Sequence, residues 1–157
     1  KGVPMGGDLP ASPEGKAPTF LIAAMKDPEG ANLDRVQVIK GWLGADGKTY
    51  EKVYDVKWSG DRVPGADGKL PPVGNTVDVK TATYQNSIGA PELVASWSDP
   101  EFDPKLTAVY YVRVLEIPTP RWTDYDSVRF KSTMPAKVTM TLQERAFTSP
   151  IWYMPAT

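Results

Sequence analysis

The stretch that decides the fold is TAVYYVRVLEI, residues 107–117. Its apolar and β-branched side chains alternate with a period of two, which is the pattern of a β-strand and not of a helix. One face carries Val109, Tyr111, Arg113 and Leu115, and the other is largely marked by Tyr110, Val112, Val114 and Ile117. Because both faces are mostly apolar, we expect a central strand that is covered on both sides.

Other segments show the same strand pattern between turns rich in proline and glycine, of which the chain has 16 and 13. They are residues 19–25, 35–43, 50–59, 76–84, 92–98, 137–145 and, at the C-terminal end, 148–153. Many short strands without a long helical pattern favour two packed antiparallel sheets. The sequence therefore predicts an all-β fold: a two-sheet antiparallel β-sandwich, immunoglobulin-like or jelly-roll-like, with at most one short helix.

The one helical pattern covers residues 123–130. Thr123 is placed to cap its N-terminus, and Asp124 and Asp126 suit the first turn, where a carboxylate is favourable. The pentapeptide GADGK occurs twice, at residues 44–48 and 65–69. Its Asp-Gly core is typical of turns that need a positive φ, and we expect two hairpin turns.

The composition excludes several classes of function. The 157-residue chain has no Cys and no His, so disulfides, thiol nucleophiles, catalytic triads and zinc hydrolase sites are excluded within it. A net charge of -1 without a basic block argues against nucleic-acid binding. The longest apolar run near the N-terminus, residues 20–25, is far shorter than the ~20 residues of a membrane span. Carboxylate chemistry, oxygen-ligated calcium or magnesium, or no chemistry remain, and we expect no cofactor.

The first 18 residues are rich in proline and glycine and lack periodicity, which predicts an N-terminal arm or linker on the surface. Residues 19–157 then form a single sandwich domain. Because the chain begins with Lys1 instead of Met and has no signal-peptide pattern, we expect it to be a piece of a longer protein.

The best candidate for a contact surface follows the central strand. Two prolines end that strand and stiffen its exit, which presents Arg121 and Trp122 on a loop. The Arg121 guanidinium can bind an anion, pair with Asp124 or Asp126, or pack on a neighbouring domain. The predicted binding or interdomain contact residues are Arg121, Trp122, Asp124 and Asp126, and no catalytic residue or metal ligand is predicted.

Two weaker signals point to ligands. The acidic stretch at residues 99–104 has carboxylates at alternate positions, but it lacks the central glycine and the closing glutamate of a calcium loop, so we expect a solvated turn. Five tryptophans, Trp42, Trp58, Trp97, Trp122 and Trp152, raise the hypothesis of sugar stacking. Four of them lie in predicted strands, where packing is the commoner role.

Four segments in order resemble a known family. They are GVPMGGDL (residues 2–9), RVQVIKGW (35–42), LEIPTPRW (115–122) and TSPIWY (148–153). Over essentially its whole length the chain resembles the C-terminal part of the bacterial proteins called domain of unknown function 3604. That family is similar to metallohydrolases of the polymerase-and-histidinol-phosphatase type, whose metal centre of His, Asp and Glu lies on an N-terminal distorted (β/α) barrel. The resemblance implies a β-rich region that follows the barrel and carries none of its metal ligands.

Two hypotheses for function follow. In the first, the chain is a non-catalytic β-sandwich fragment of an uncharacterised metal-dependent phosphoesterase-like protein, and its partner is the upstream catalytic barrel of the same polypeptide. In the second, it is an extracellular module that binds carbohydrate or another ligand through exposed tryptophans, which predicts an aromatic strip on one sheet face or rim. A carboxylate-only enzyme is a third, weaker alternative. The family resemblance also implies a periplasmic or secreted protein.

Overall fold

The computed structural model describes residues 2–12 and 14–155; Lys1, Pro13, Ala156 and Thr157 lie outside this part of the chain. Strands dominate it, and one helix is present within the described residues. The elements in chain order are β1 (Asp8–Leu9), β2 (Thr19–Met25), β3 (Leu33–Leu43), β4 (Thr49–Trp58), β5 (Glu92–Ser98), β6 (Ala108–Glu116), β7 (Thr119–Pro120), α1 (Trp122–Phe130), β8 (Thr141–Leu142), β9 (Arg145–Phe147) and β10 (Ile151–Tyr153).

The large sheet has six strands, in the order β1-β10-β6-β3-β4, and β9 also pairs with β6. The predicted central strand is confirmed, since β6 lies between β3 on one side and β9 and β10 on the other. The pairings are antiparallel except that of β1 with β10, which is parallel.

The small sheet consists of β2 and β5, whose bounds are those predicted from the sequence. It packs against one face of the large sheet and contributes Ile22 and Leu93 to a core that also contains Val36, Val38 and Tyr110. Two further short strands, β7 and β8, pair with each other. The predicted all-β class with a single short helix is confirmed, and the two main sheets pack in the manner of a β-sandwich.

One predicted strand, residues 76–84, is wrong. This segment forms successive turns with a single bridge between Asp78 and Thr83. The Asp78 carboxylate accepts hydrogen bonds from the backbone N–H of Lys80 (2.9 Å) and from the hydroxyl of Thr81 (3.1 Å). Such local side-chain bonds compete with the pairing of a sheet, and here they replace it.

The predicted strand at residues 137–145 is wrong over most of its length. Only Thr141–Leu142 and Arg145 belong to strands, and the backbone N–H of Val138 closes a turn on the carbonyl of Pro135. The predicted strand at residues 148–153 is shorter than expected and covers Ile151–Tyr153.

The helix begins one residue earlier than predicted, and the predicted cap is wrong. Arg121 occupies the N-cap position with an extended backbone, and no side chain caps the first turn. Thr123 lies inside the helix and is buried, where its hydroxyl donates to the carbonyl of Thr139 (2.8 Å). The helix ends at Lys131, whose backbone is left-handed (φ 51°) and whose N–H donates to the carbonyl of Ser127.

The two GADGK segments form similar turns. In each, the first glycine donates its N–H to the carbonyl of the lysine, over 2.8 Å from Gly44 and 3.0 Å from Gly65. The second glycines, Gly47 and Gly68, have φ of 76° and 73°, which glycine adopts without steric penalty. The first turn joins β3 to β4 as predicted. The second lies in the connection between β4 and β5 and joins no described strands, so the hairpin prediction is wrong there.

Part of the predicted N-terminal arm belongs to the large sheet. Asp8 and Leu9 pair with Trp152 and Tyr153, and Leu9 packs against the core. The N- and C-terminal segments therefore meet at one edge of the sheet. Within the described residues, no helix has the length and apolar content that crossing a bilayer requires.

A buried ion pair joins the two sheets. The Lys40 ammonium on β3 lies 2.5 Å from the carboxylate of Asp99, which directly follows β5, and both side chains are at most 5% exposed. Lys40 also donates to the carbonyl of Glu101 (2.7 Å), and Asp99 accepts the hydroxyl of Tyr110 (2.7 Å). These extra bonds offset part of the desolvation that a buried ion pair requires.

A second buried carboxylate, Asp34 at the start of β3, binds its neighbour Arg35 and two distant parts of the chain. It accepts from Arg35 (3.0 Å), from Arg62 in the β4–β5 connection (2.6 Å) and from Gln143 between β8 and β9 (2.9 Å). The Gln143 amide also donates to the carbonyl of Glu116, at the end of β6. Asp34 therefore fixes the place where the chain leaves β6 toward α1.

Replacing Lys40 with Ala is expected to lower the free energy of unfolding by about 3 kcal/mol, because it leaves Asp99 buried without its cation. Urea unfolding of the purified chain measures this difference. The matched control is Lys48→Ala, which removes the cation of a surface pair with Asp46 and should change stability by less than ~0.5 kcal/mol. Equal effects of the two substitutions would contradict the assigned role of the buried pair.

Candidate functional site

The predicted contact region is held against the rest of the fold by its backbone. After β6, the two-residue strand β7 pairs with β8, and the N–H of Arg121 donates to the carbonyl of Met140 (2.8 Å). The extended backbone of Arg121 then turns directly into α1. Because both sides of this turn are fixed, α1 presents a defined surface.

That surface is aromatic and cationic. Trp122 is 63% exposed, and Phe130 at the other end of the helix is 66% exposed. Each lies beside a guanidinium: the Arg121 Cζ atom is 5.9 Å from the ring centre of Trp122, and the Arg129 Cζ atom is 5.6 Å from that of Phe130. Two more exposed apolar side chains, Tyr125 and Val128, complete the group. We call Arg121, Trp122, Tyr125, Val128, Arg129 and Phe130 the α1 surface.

Of the four predicted site residues, only Arg121 and Trp122 belong to this surface. Trp122 is exposed, Arg121 and Asp126 are half-buried, and Asp124 is fully buried. Sequence reasoning missed Tyr125, Val128, Arg129 and Phe130. The spacing of three residues from Trp122 to Tyr125 and on to Val128, which puts them on neighbouring turns of a helix, was the available signal.

Asp124 is an unusual group because its carboxylate is buried without a hydrogen-bond partner in the described part of the chain. Neither oxygen has a hydrogen-bond partner among the described residues, so it does not pair with Arg121. Burial raises the pKa of Asp124 above its ordinary value, and the negative charge of Asp78 raises it further. The favourable position in the first turn of a helix is the one compensation that the local structure provides.

A second exposed aromatic group lies on the face of the large sheet that points away from the core. Side chains of directly paired residues share a face, and Phe147 pairs with Arg113 while Trp152 pairs with Val109. These pairs flank Tyr111 on that same face, and the ring centres of Tyr111 and Phe147 are 6.3 Å apart. Phe147 is 58% and Trp152 45% exposed. We call Tyr111, Phe147 and Trp152 the aromatic row.

The other three tryptophans are half-buried and engaged within the fold. Trp42 stacks on Tyr50, with ring centres 5.5 Å apart, and Trp97 lies 5.0 Å from Tyr54. The indole N–H of Trp58 donates to the carbonyl of Arg62.

The acidic stretch after β5 forms turns whose carboxylates serve internal contacts. Asp99 binds Lys40 and Tyr110, and Glu101 accepts from Lys52 and from the hydroxyl of Tyr54. Burial, together with the bond to Asp99, keeps the pKa of Tyr110 well above the ordinary value of 10. Across residues 2–12 and 14–155, no three side chains of His, Cys, Asp or Glu are grouped so that they could hold a metal ion.

Comparison with known proteins identifies a family. The sequence model described as "Protein of unknown function (DUF3604)" matches residues 1–155. The chain belongs to this family. No curated protein and no solved structure matches this DUF3604 chain.

The four segments that resemble the DUF3604 family lie together in the fold. Residues 2–9 lead into β1, residues 35–42 fall within β3, residues 115–122 run from the end of β6 to the start of α1, and residues 148–153 include β10. These strands are consecutive in the sheet order β1-β10-β6-β3. The family-like residues therefore supply β1, most of β3, the end of β6 and β10, together with the entry to α1.

Replacing Asp124 with Asn is expected to raise the urea midpoint of unfolding at pH 7. A carboxyl with a raised pKa in the folded state destabilises that state when it ionises, so wild-type stability falls as the pH rises from the ordinary value of 3.8 through the folded-state pKa. The advantage of the variant should therefore shrink on acidification and vanish below that ordinary value. The matched control is Asp126→Asn on the same helix. If the Asp124→Asn variant is no more stable than wild type at pH 7, this account is contradicted.

Proposed function

We propose that this chain is a non-catalytic β-sandwich module of a metal-dependent phosphoesterase-like protein, and that it docks through the α1 surface on an upstream catalytic barrel of the same polypeptide. In this proposal the module is the C-terminal region of an exported bacterial protein, periplasmic or secreted, and the metal centre lies on the barrel. The function of the module is to support and position that barrel.

The observation that carries the proposal is the composition of the α1 surface. Exposed Trp and Tyr side chains beside Arg are the residue types that contribute most of the binding energy at protein interfaces. Here Trp122 and Phe130 are each about two-thirds exposed and each has a guanidinium next to its ring. A rigid aromatic side chain loses little conformational entropy on docking, so this surface is suited to a stable contact.

The residue inventory supports a non-catalytic role. The chain has no His and no Cys, so it has none of the imidazole or thiolate groups that the metallohydrolase relationship calls for. Within the described residues, three of the four buried charged groups, Lys40, Asp99 and Asp34, already bind one another or neighbouring arginines, and the fourth, Asp124, is closed off from solvent. The exposed side chains that remain are suited to binding other molecules.

In a binding assay between this chain and the separately expressed upstream region, Trp122→Ala is expected to weaken association about tenfold or more, because it removes an exposed aromatic anchor of the α1 surface. The matched control is Trp152→Ala, which removes an exposed tryptophan of the aromatic row and should leave the affinity unchanged. Isothermal titration calorimetry measures the affinity of both variants.

The non-catalytic part of the proposal has its own test. The purified chain should hydrolyse neither p-nitrophenyl phosphate nor bis(p-nitrophenyl) phosphate with Mg²⁺, Mn²⁺ or Zn²⁺, whereas the longer protein should do so under matched conditions. Hydrolytic activity that co-purifies with the chain would contradict this part of the proposal.

A second candidate function is a carbohydrate- or ligand-binding module, and the aromatic row favours it. Exposed rings on one sheet face can stack on sugar rings. If this candidate holds, a glycan from a screening panel changes the tryptophan fluorescence of the wild type, and Trp152→Ala abolishes the change while Trp122→Ala preserves it. The absence of any change across the panel would dismiss this candidate.

A further inference from the structure

The free edge of β2 is the feature that neither candidate function uses. On one side β2 pairs with β5 over all seven residues, and within the described parts of the chain, 2–12 and 14–155, no strand pairs with its other side. Its sequence, TFLIAAM, has no charge and no proline. Charges and prolines are the devices by which exposed strand edges are commonly protected from further pairing, so this edge is open to another strand.

The backbone groups that face this edge can be assigned. At the two ends of the β2–β5 pair, the N–H of Asp99 donates to the carbonyl of Pro18 and the N–H of Lys26 donates to that of Pro91. Bonded and non-bonded pairs alternate along an antiparallel ladder, so the even-numbered residues of β2 bond to β5. The N–H and C=O groups of Thr19, Leu21, Ala23 and Met25 therefore point to the free edge.

A groove follows the same edge between the two sheets. A cavity of about 390 Å³ lies along residues 19–23 and is lined by Ile22 of β2, by Val112 and Ile151 of the large sheet, and by residues 2–5 of the N-terminal segment. A second cavity of about 430 Å³ continues from Ala23 to Asp27 and reaches Val114 of the large sheet. Together the two cavities run the length of β2 and meet at Ala23.

The two ends of the groove differ in charge. The lining of the first cavity contains no charged side chain, whereas the second is bordered by three carboxylates, Asp27, Glu116 and Glu144, and by two cations, Lys26 and the exposed Arg145. The ammonium group of Lys26, at the same end, is bound to the carbonyls of Asp27, Pro28 and Gly30. Burial raises the pKa of Glu116, and the charges of Glu144 and Asp27 raise it further, as expected where acidic groups collect.

We propose that this groove binds an extended peptide segment of a partner, which adds as a strand to the free edge of β2. Its alternate apolar side chains fill the space over Val112 and Ile151, and a lysine or arginine at one end lies over Asp27, Glu116 and Glu144. Main-chain hydrogen bonds to Thr19, Leu21, Ala23 and Met25 provide affinity, and the side-chain pattern provides specificity. A second copy of this chain does not fit as well, because the inward side chains of its own β2 are already buried in its own core and cannot fill the groove.

The experiment uses fluorescein-labelled peptides of the same length as β2, 7 residues, which alternate valine and threonine. One carries a lysine at its amino end and another at its carboxyl end, to cover both strand directions. Fluorescence anisotropy with the wild-type chain is expected to show binding of at least one of them. N-methylation of the alternate residues whose N–H faces β2 should weaken binding about tenfold or more, because it removes several main-chain hydrogen bonds at once. Replacement of the lysine by glutamate should also weaken binding.

Two variants of the chain complete the test. Ala23→Pro blocks the free edge without removing a bond to β5 and should abolish binding. The matched control is Ser96→Pro, which places proline at the opposite edge of the small sheet and should leave binding intact, since Ser96 pairs with Leu21 and also directs its backbone away from its partner strand. If Ala23→Pro fails to fold, the N-methylated peptides decide the question on the wild type.

Three results would overturn the proposal. They are failure of both lysine peptides to bind, equal affinity of the N-methylated and unmodified peptides, and a wild-type dimer in light scattering that Ala23→Pro disrupts. The last would assign the edge to a second copy of the chain. This inference does not depend on the proposed docking of α1, because the peptide assay involves neither the upstream region nor the α1 surface.

Discussion

The placement of the two sheets depends on the buried ion pair between Lys40 and Asp99. Apolar packing between Ile22, Val36 and Val38 is nearly non-directional and tolerates several offsets between the sheets. A buried ammonium paired with a buried carboxylate does not tolerate such offsets, since separating the two would leave each charge buried without its partner. Because Asp99 directly follows β5, the pair fixes the small sheet from its β5 side, and the side of β2 is left with an open groove.

A similar constraint positions the α1 surface. Asp34 binds Arg62 and Gln143, and Gln143 in turn holds the carbonyl of Glu116 at the end of β6. Between the end of β6 and the start of α1, the two-residue strand β7 is the one element in which the chain changes direction. The buried carboxylate of Asp34 thus links β3 to the segment that leads into α1 and its exposed aromatic side chains. The position of the α1 surface depends on this buried network, although none of its members lies on that surface.

The sequence predicted those parts of the fold that depend on local pattern. The bounds of β2 and β5 follow from alternation between turns, and α1 follows from one short helical segment. Residues 76–84 have a strand-like composition, but Asp78 binds its own backbone instead. The exposure of Trp122 was predictable from the flanking prolines. The aromatic row was not, because Tyr111, Phe147 and Trp152 are brought together by the pairing of β6 with strands far away in the sequence, which no local pattern encodes.

A few side chains depart from the usual distribution, although the core itself is apolar. Charged residues are rarely fully buried unless they are paired, and large aromatic residues usually contribute to the core. Here Lys40, Asp34 and Asp99 are buried in pairs, whereas Trp122, Phe130 and Phe147 are more than half exposed. Burying a charge consumes its capacity for chemistry on an external substrate, and exposing a ring is unfavourable in water unless another surface covers it. Both features fit the proposed role of a module that binds other molecules.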